Sequence, residues 1–151
     1  MYLGYQDNVI KFFVEEPLDP NFYPVDEWVE TEDDYALDGD HYVIKDQAWE
    51  EEQARREAER IAKLHLTRGD VFRALLMARG VTRAQLRAMI EQLPDNTTEQ
   101  SIAKEMALID FDEALEFYRG VSLIDTLGSA LGISSQQMTR FFETNDYHEL
   151  M

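Results

Sequence analysis

Four stretches after Leu66 each place a hydroxyl residue three positions ahead of an acid or an amide: Thr67-Arg68-Gly69-Asp70, Thr82-Arg83-Ala84-Gln85, Ser122-Leu123-Ile124-Asp125 and Ser134-Ser135-Gln136-Gln137. That is the spacing of a capping box, in which two side chains satisfy the free N–H groups of a helix start. Three of the four follow a glycine and an aliphatic residue, Gly80-Val81, Gly120-Val121 and Gly132-Ile133. Glycine suits the left-handed position that closes a helix, and the aliphatic residue staples the next start. Such punctuation predicts short antiparallel or crossed helices at 68–79, 83–93, 98–118, 123–131 and 135–143, with Pro94-Asp95-Asn96-Thr97 as the main break. Apolar spacing on them predicts a core of Val71, Leu75, Leu86, Ile90, Leu108, Phe111, Leu115, Tyr118, Ile124, Leu127, Leu131, Met138 and Phe141.

Upstream, a longer helix is expected from Gln47 to about Leu66, capped by Asp46 and opened by Glu50-Glu51-Glu52, where the helix dipole favours negative charge. Glu51–Arg55, Glu52–Arg56 and Glu59–Lys63 have i,i+4 spacing in the favourable order. Its apolar stripe, Trp49, Ala54, Ala58, Ile61 and Leu64, is narrow, as in a partly exposed linking helix or a short oligomerising one. Before it, Val9 to Val14 reads as a strand ended by Glu15 to Pro20, and Asp38-Gly39 between β-prone runs reads as a hairpin. The charge density of residues 26–34 predicts an exposed, loosely held segment. The expected fold is mainly α, and α+β overall: a β-hairpin-containing arm over 1–45, a connecting helix over 46–66, and a helical domain of about five short helices over 67–151.

The charge divides unevenly. Across 151 residues, 31 Asp and Glu oppose 14 Lys and Arg, a formal charge of −17. Residues 1–50 hold 14 acids and 2 bases, whereas residues 67–93 hold 2 acids and 5 bases. Phosphate neutralisation supplies most nucleic-acid affinity, so this balance argues against direct nucleic-acid binding. The absence of cysteine excludes disulfides and thiolate metal sites. No apolar run approaches the ~20 residues of a membrane helix, and Met1-Tyr2-Leu3-Gly4-Tyr5 lacks a signal-peptide pattern, so a cytoplasmic product is expected.

Chemistry-bearing motifs are sparse. His41, His65 and His148 have no ligand spacing, and Asp33-Asp34 with Asp38-Gly39-Asp40 departs from an EF-hand at His41-Tyr42-Val43-Ile44. Neither a phosphate loop nor a nucleophile elbow or zinc motif is found, and Asp110, Asp112, Glu113 and Glu116 read as a solvated acidic face. No enzyme activity, metal or cofactor is therefore expected. Residues 127–141 have the small residue, turn glycine and apolar spacing of a helix-turn-helix, but the second helix offers one cation, Arg140, which favours a structural role. Arg68, Arg73, Arg79, Arg83 and Arg87 form a basic run, read either as internal charge balance against residues 99–116 or as a docking face. The candidate partner-binding residues are Trp28 and Trp49 as aromatic anchors, with Arg73, Arg79, Arg83 and Arg87 as the cationic face.

The stretches His65 to Leu75, Phe117 to Asp125, and Leu131-Gly132-Ile133 with Phe141 to Tyr147 resemble small proteins of bacterial phages and prophages encoded near tail and tail-fibre genes. The resemblance covers about residues 45–150. It implies a phage context and protein–protein work, and brings no catalytic or ligand residue with it. Two functions follow as expectations: a non-enzymatic tail-associated structural or assembly accessory protein, or an acidic DNA mimic that inhibits a host nucleic-acid-binding defence protein in the manner of anti-CRISPR proteins. The partner would be a tail or fibre component in the first case and a host nuclease in the second, with self-association a further option. The location would be the host cytoplasm, or the virion.

Overall fold

The computed structural model describes every residue except Pro20 and divides into two compact units, Met1–Glu57 and Ala58–Met151. In the first, strands β1 (Tyr2–Gln6), β2 (Val9–Val14) and β3 (Glu27–Glu30) form an antiparallel sheet in the order β2-β1-β3. Asp7 and Asn8, at φ of 53° and 63°, make the two-residue turn between β1 and β2; Asp and Asn tolerate that region better than other non-glycine residues. The expected strand 9–14 is β2. Residues 26–34, expected to be loosely held, instead supply β3, whose Trp28 lies opposite Gly4 of β1. An edge strand accommodates this charge because Glu27 and Glu30 face solvent.

The hairpin β4 (Tyr35–Asp38) and β5 (His41–Ile44) forms around Gly39 at φ 66°. Phe13 of β2 packs against Tyr35 and Tyr42, at ring-centroid distances of 5.4 and 6.0 Å. Lys11 and Lys45 close the hairpin's ends on Asp40 and Asp34, each at 2.8 Å. Helix α1 (Gln47–Lys63) begins in this unit, with Asp46 Oδ1 accepting from the Trp49 N–H at 2.9 Å. Glu52 binds both Arg55, at i,i+3, and Arg56, at i,i+4.

The second unit begins within α1 and continues through β6 (His65–Thr67), α2 (Arg68–Arg79), α3 (Arg83–Glu91), α4 (Thr98–Glu113), β7 (Glu116–Tyr118), α5 (Ser122–Ala130), α6 (Ser135–Thr144) and a closing 3-10 turn, Tyr147–Leu150. Two helices end earlier than the sequence predicts. The helix expected to end at Leu66 stops at Lys63, and that expected over 98–118 stops at Glu113, because β6 and β7 pair antiparallel with Leu66 opposite Phe117. The pairing sends Phe117 into the core and leaves Leu115 83% and Tyr118 44% exposed, so both leave the expected core.

Three boxes close fully: Thr82 with Gln85, Ser134 with Gln137, and Thr97 with Gln100 at the segment read only as a break. Thr67 caps the Asp70 N–H. Ser122 does not cap, since it is the first helical residue behind Val121, so the expected fourth box is absent. Gly80 and Gly132 take the left-handed positions at φ 66° and 67°. The core gathers Leu75, Leu86, Ile90, Phe111, Phe117, Leu123, Ile124, Leu127, Phe141 and Leu150, each at most 2% exposed.

Candidate interaction surfaces

Within the arginine run, Arg73 and Arg87 pair with acids of their own unit, while Arg68 and Arg79 donate to backbone carbonyls. Arg87 donates from Nη2 to Asp112 Oδ2 at 2.9 Å and also pairs with Glu91. Arg68 donates from Nη1 to the Asp112 carbonyl at 2.6 Å, with its guanidinium 5.4 Å from the Phe72 ring centre; its Nη2 is buried without a hydrogen-bond partner. The hydrogen bond from Arg87, then the nearby charges of Arg87, Arg68 and Arg83, hold the Asp112 carboxyl below its usual range. Arg73 and Arg79 take other partners. Arg73 pairs with Asp70 at 2.5 Å from an exposed position, and Arg79 Nε donates to the Leu150 carbonyl at 2.6 Å, tying α2 to the C-terminal turn.

Trp28 and Trp49 are both half-buried. The Trp28 ring covers Gly4 so closely that an added Cβ there would lie 2.8 Å from its Cζ3, and Phe12 lies 6.1 Å away. Only glycine fits beneath that ring, which makes Trp28 part of the sheet's own packing. Trp49 sits in the first turn of α1, its N–H held by the Asp46 cap.

The helix-turn-helix pattern is built as α5, a four-residue turn, and α6. Gly128 permits the close pass: an added Cβ would lie 3.3 Å from Met138 Cε and 3.4 Å from the Ile133 carbonyl. The segment is fastened from within by Arg119, which is 5% exposed. Its Nη1 donates to Asp125 Oδ1 at 2.8 Å, Nη2 to Ser135 Oγ at 2.7 Å, and Nε to Thr139 Oγ1 at 3.1 Å. On α6, Glu143 pairs with Arg60 of α1 at 2.7 Å and Arg140 lies exposed. Arg119 was not singled out in the sequence, yet a signal exists. Leu66-Thr67-Arg68-Gly69 and Phe117-Tyr118-Arg119-Gly120 repeat one pattern, an alternating strand followed by Arg-Gly and a helix, and these two stretches pair with each other.

Three apolar features face outward. A groove of about 580 Å³ runs between α3 and α5, with Met89, Ile90, Leu93, Leu127 and Ala130 along it and Asp125 at its rim. On α4, Ile102, Met106 and Ile109 are 55%, 59% and 51% exposed, while Ala107 and Phe111 on the opposite side are buried. Leu76 and Met77 of α2 are exposed at 49% and 61%. The α4 stripe was legible as apolar residues at i, i+4 and i+7, a second apolar face on a helix whose first face already filled the core.

Among the described residues no group of three or more His, Cys, Asp or Glu is placed to hold a metal ion, and no helix is long and apolar enough to cross a membrane. Comparison with protein-family models, curated proteins and solved structures found no match.

Proposed function

We propose that this chain is a non-enzymatic, phage tail-associated structural or assembly accessory protein that works through protein–protein contacts. The observation carrying the reading is the α4 face: three apolar side chains, each more than half exposed, on a helix whose other side is core. Contiguous exposed apolar surface on an otherwise acidic chain is a mark of a docking surface. The phage context comes from the resemblance of residues 45–150. Mass spectrometry of purified particles, together with affinity capture from infected cells using this chain as bait, is expected to recover tail or fibre proteins. Absence of the chain from both virions and assembly intermediates would overturn the reading.

A second reading, the acidic DNA mimic, is favoured by one observation. Residues 1–50 hold 14 acids and 2 bases, and with Lys11 on Asp40, Lys45 on Asp34 and Arg56 on Asp38 the carboxylates of the segment still stand in large excess. Dense carboxylates can occupy a phosphate-binding channel. This reading predicts salt-sensitive binding to a basic host nuclease that DNA competes away, and fails on unchanged nuclease activity at saturating protein.

A further inference from the structure

Along one face of α4, five exposed residues follow a regular 3-4-3-4 spacing: Glu99, Ile102, Met106, Ile109, Glu113. That is the a/d spacing of a helix–helix seam, and over 14 residues it runs about 21 Å. Its three central positions are apolar and more than half exposed, while both ends are exposed glutamates. Glu105, also exposed, flanks it. The one base of this helix, Lys104, lies away from the seam and is bound to Asp95 at 3.1 Å.

We propose that this seam docks a helix of a partner protein that is apolar at its centre and carries Lys or Arg at the seam positions on either side. The proposal rests on the reading of the chain as a protein-docking module and names the chemistry of its partner. The spacing selects a helix, because alternating steps of three and four keep one stripe against a second helix and would not match the two-residue period of a strand. Charge selects the sign. A second copy is disfavoured, because antiparallel pairing sets Glu99 against Glu113 of the other copy and parallel pairing sets each glutamate against itself, with −17 on each chain.

The test uses the full chain and a synthetic helical peptide with Leu at three successive seam positions and Lys at the seam position on each side. Fluorescence anisotropy is expected to show binding that weakens with salt. Met106→Asp should lower affinity about tenfold or more, with circular dichroism unchanged because the side chain is exposed. The double variant Glu99→Lys, Glu113→Lys should lose the Lys-flanked peptide and gain a Glu-flanked one, an exchange that mere unfolding cannot produce. Equal binding of a peptide with the same residues in permuted order would overturn the seam, as would undiminished binding by Met106→Asp. Wild-type self-association that Met106→Asp abolishes, seen by sedimentation, would assign the seam to a second copy and overturn the proposal. Recovery of tail or fibre proteins by both wild-type and Met106→Asp baits would sink the seam and leave the function intact. Seam-dependent peptide binding without any tail or fibre protein on the bait would do the reverse.

Discussion

Arg119 is the residue on which most of the polar interior of the second unit converges. Its guanidinium places hydrogen bonds on Asp125 of α5 and on Ser135 and Thr139 of α6. A planar fork reaches three directions at once, which a lysine ammonium on a flexible stem does not reproduce. Arg119→Met keeps much of the packing volume but removes the charge-assisted bonds by which this buried side chain joins α5 to α6. It is expected to cost about 2–3 kcal/mol, read as a lower urea midpoint at unchanged m value. Arg119→Lys should recover little of that, and Arg73→Ala, at an exposed position, should leave the midpoint almost unmoved. Gly120 offers a second test, since its neighbour rather than its φ demands glycine: a Cβ would lie 2.8 Å from the Ala62 Cβ and 3.1 Å from its Cα. Gly120→Ala is expected to cost about 1–3 kcal/mol, with Ala62→Gly in the same chain recovering part of it, measured by the same denaturation.

At the scale of elements, α1 differs from the other helices in having no buried residue. Its charged side chains instead pair with one another along its length. Hydrogen bonds from Arg55 and then Arg56 hold Glu52 down to about 2, from an ordinary value of 4.5. A carboxyl with a lowered folded value adds stability that is present above the ordinary value and lost as pH falls through the folded one. Amide protection factors in α1, referred to the intrinsic exchange rate at each pH, should accordingly fall between about pH 4.5 and 2, and the Glu52 side chain should titrate near 2 by NMR. Glu52→Gln should flatten much of that dependence; an α1 indifferent to pH across the window would refute the assignment. The helix starts of the second unit were legible because a cap is a local signal, complete within four residues. Strands β6 and β7 were not, since each is three residues long and exists only through its distant partner. Leu115 and Tyr118 continued the helical spacing of Phe111 on paper, and only the pairing of Leu66 with Phe117 overrides it. Trp28 was legible as a large aromatic, but its use depended on Gly4, brought opposite by sheet register. In the arginine run, charge balance was legible in Arg87, whose carboxylate partner Asp112 lies 25 positions away, whereas Arg68 donates to the backbone carbonyl of the same residue.

Across the whole molecule, core and charge are distributed in opposite senses. Among the described residues, Leu3 is the sole buried hydrophobic side chain of the first unit, whereas the connected cluster from Val71 to Leu150 lies in the second. The first 50 residues nevertheless carry 14 acids against 2 bases. Burial of a full aliphatic or aromatic side chain contributes about 1.5–3 kcal/mol, so the first unit has little to set against the mutual repulsion of its carboxylates. Its opening free energy should be the lower of the two. Native-state hydrogen exchange is expected to show amides of β1 to β5 opening well before those of α2 to α6. Salt decides which electrostatic effect dominates there. Screening weakens the surface pairs Lys11–Asp40, Lys45–Asp34 and Arg56–Asp38, but exposed pairs contribute only about 0–1 kcal/mol each, and with 14 acids against 2 bases in residues 1–50 the repulsion it relieves is the larger effect. Raising ionic strength from about 0.01 to 0.1 M, which shortens the screening length from roughly 30 to 10 Å, should therefore slow exchange in β1 to β5 more than in the helices. Uniform protection along the chain, unmoved by salt, would show that the acidic segment draws its stability from something other than its own sparse core.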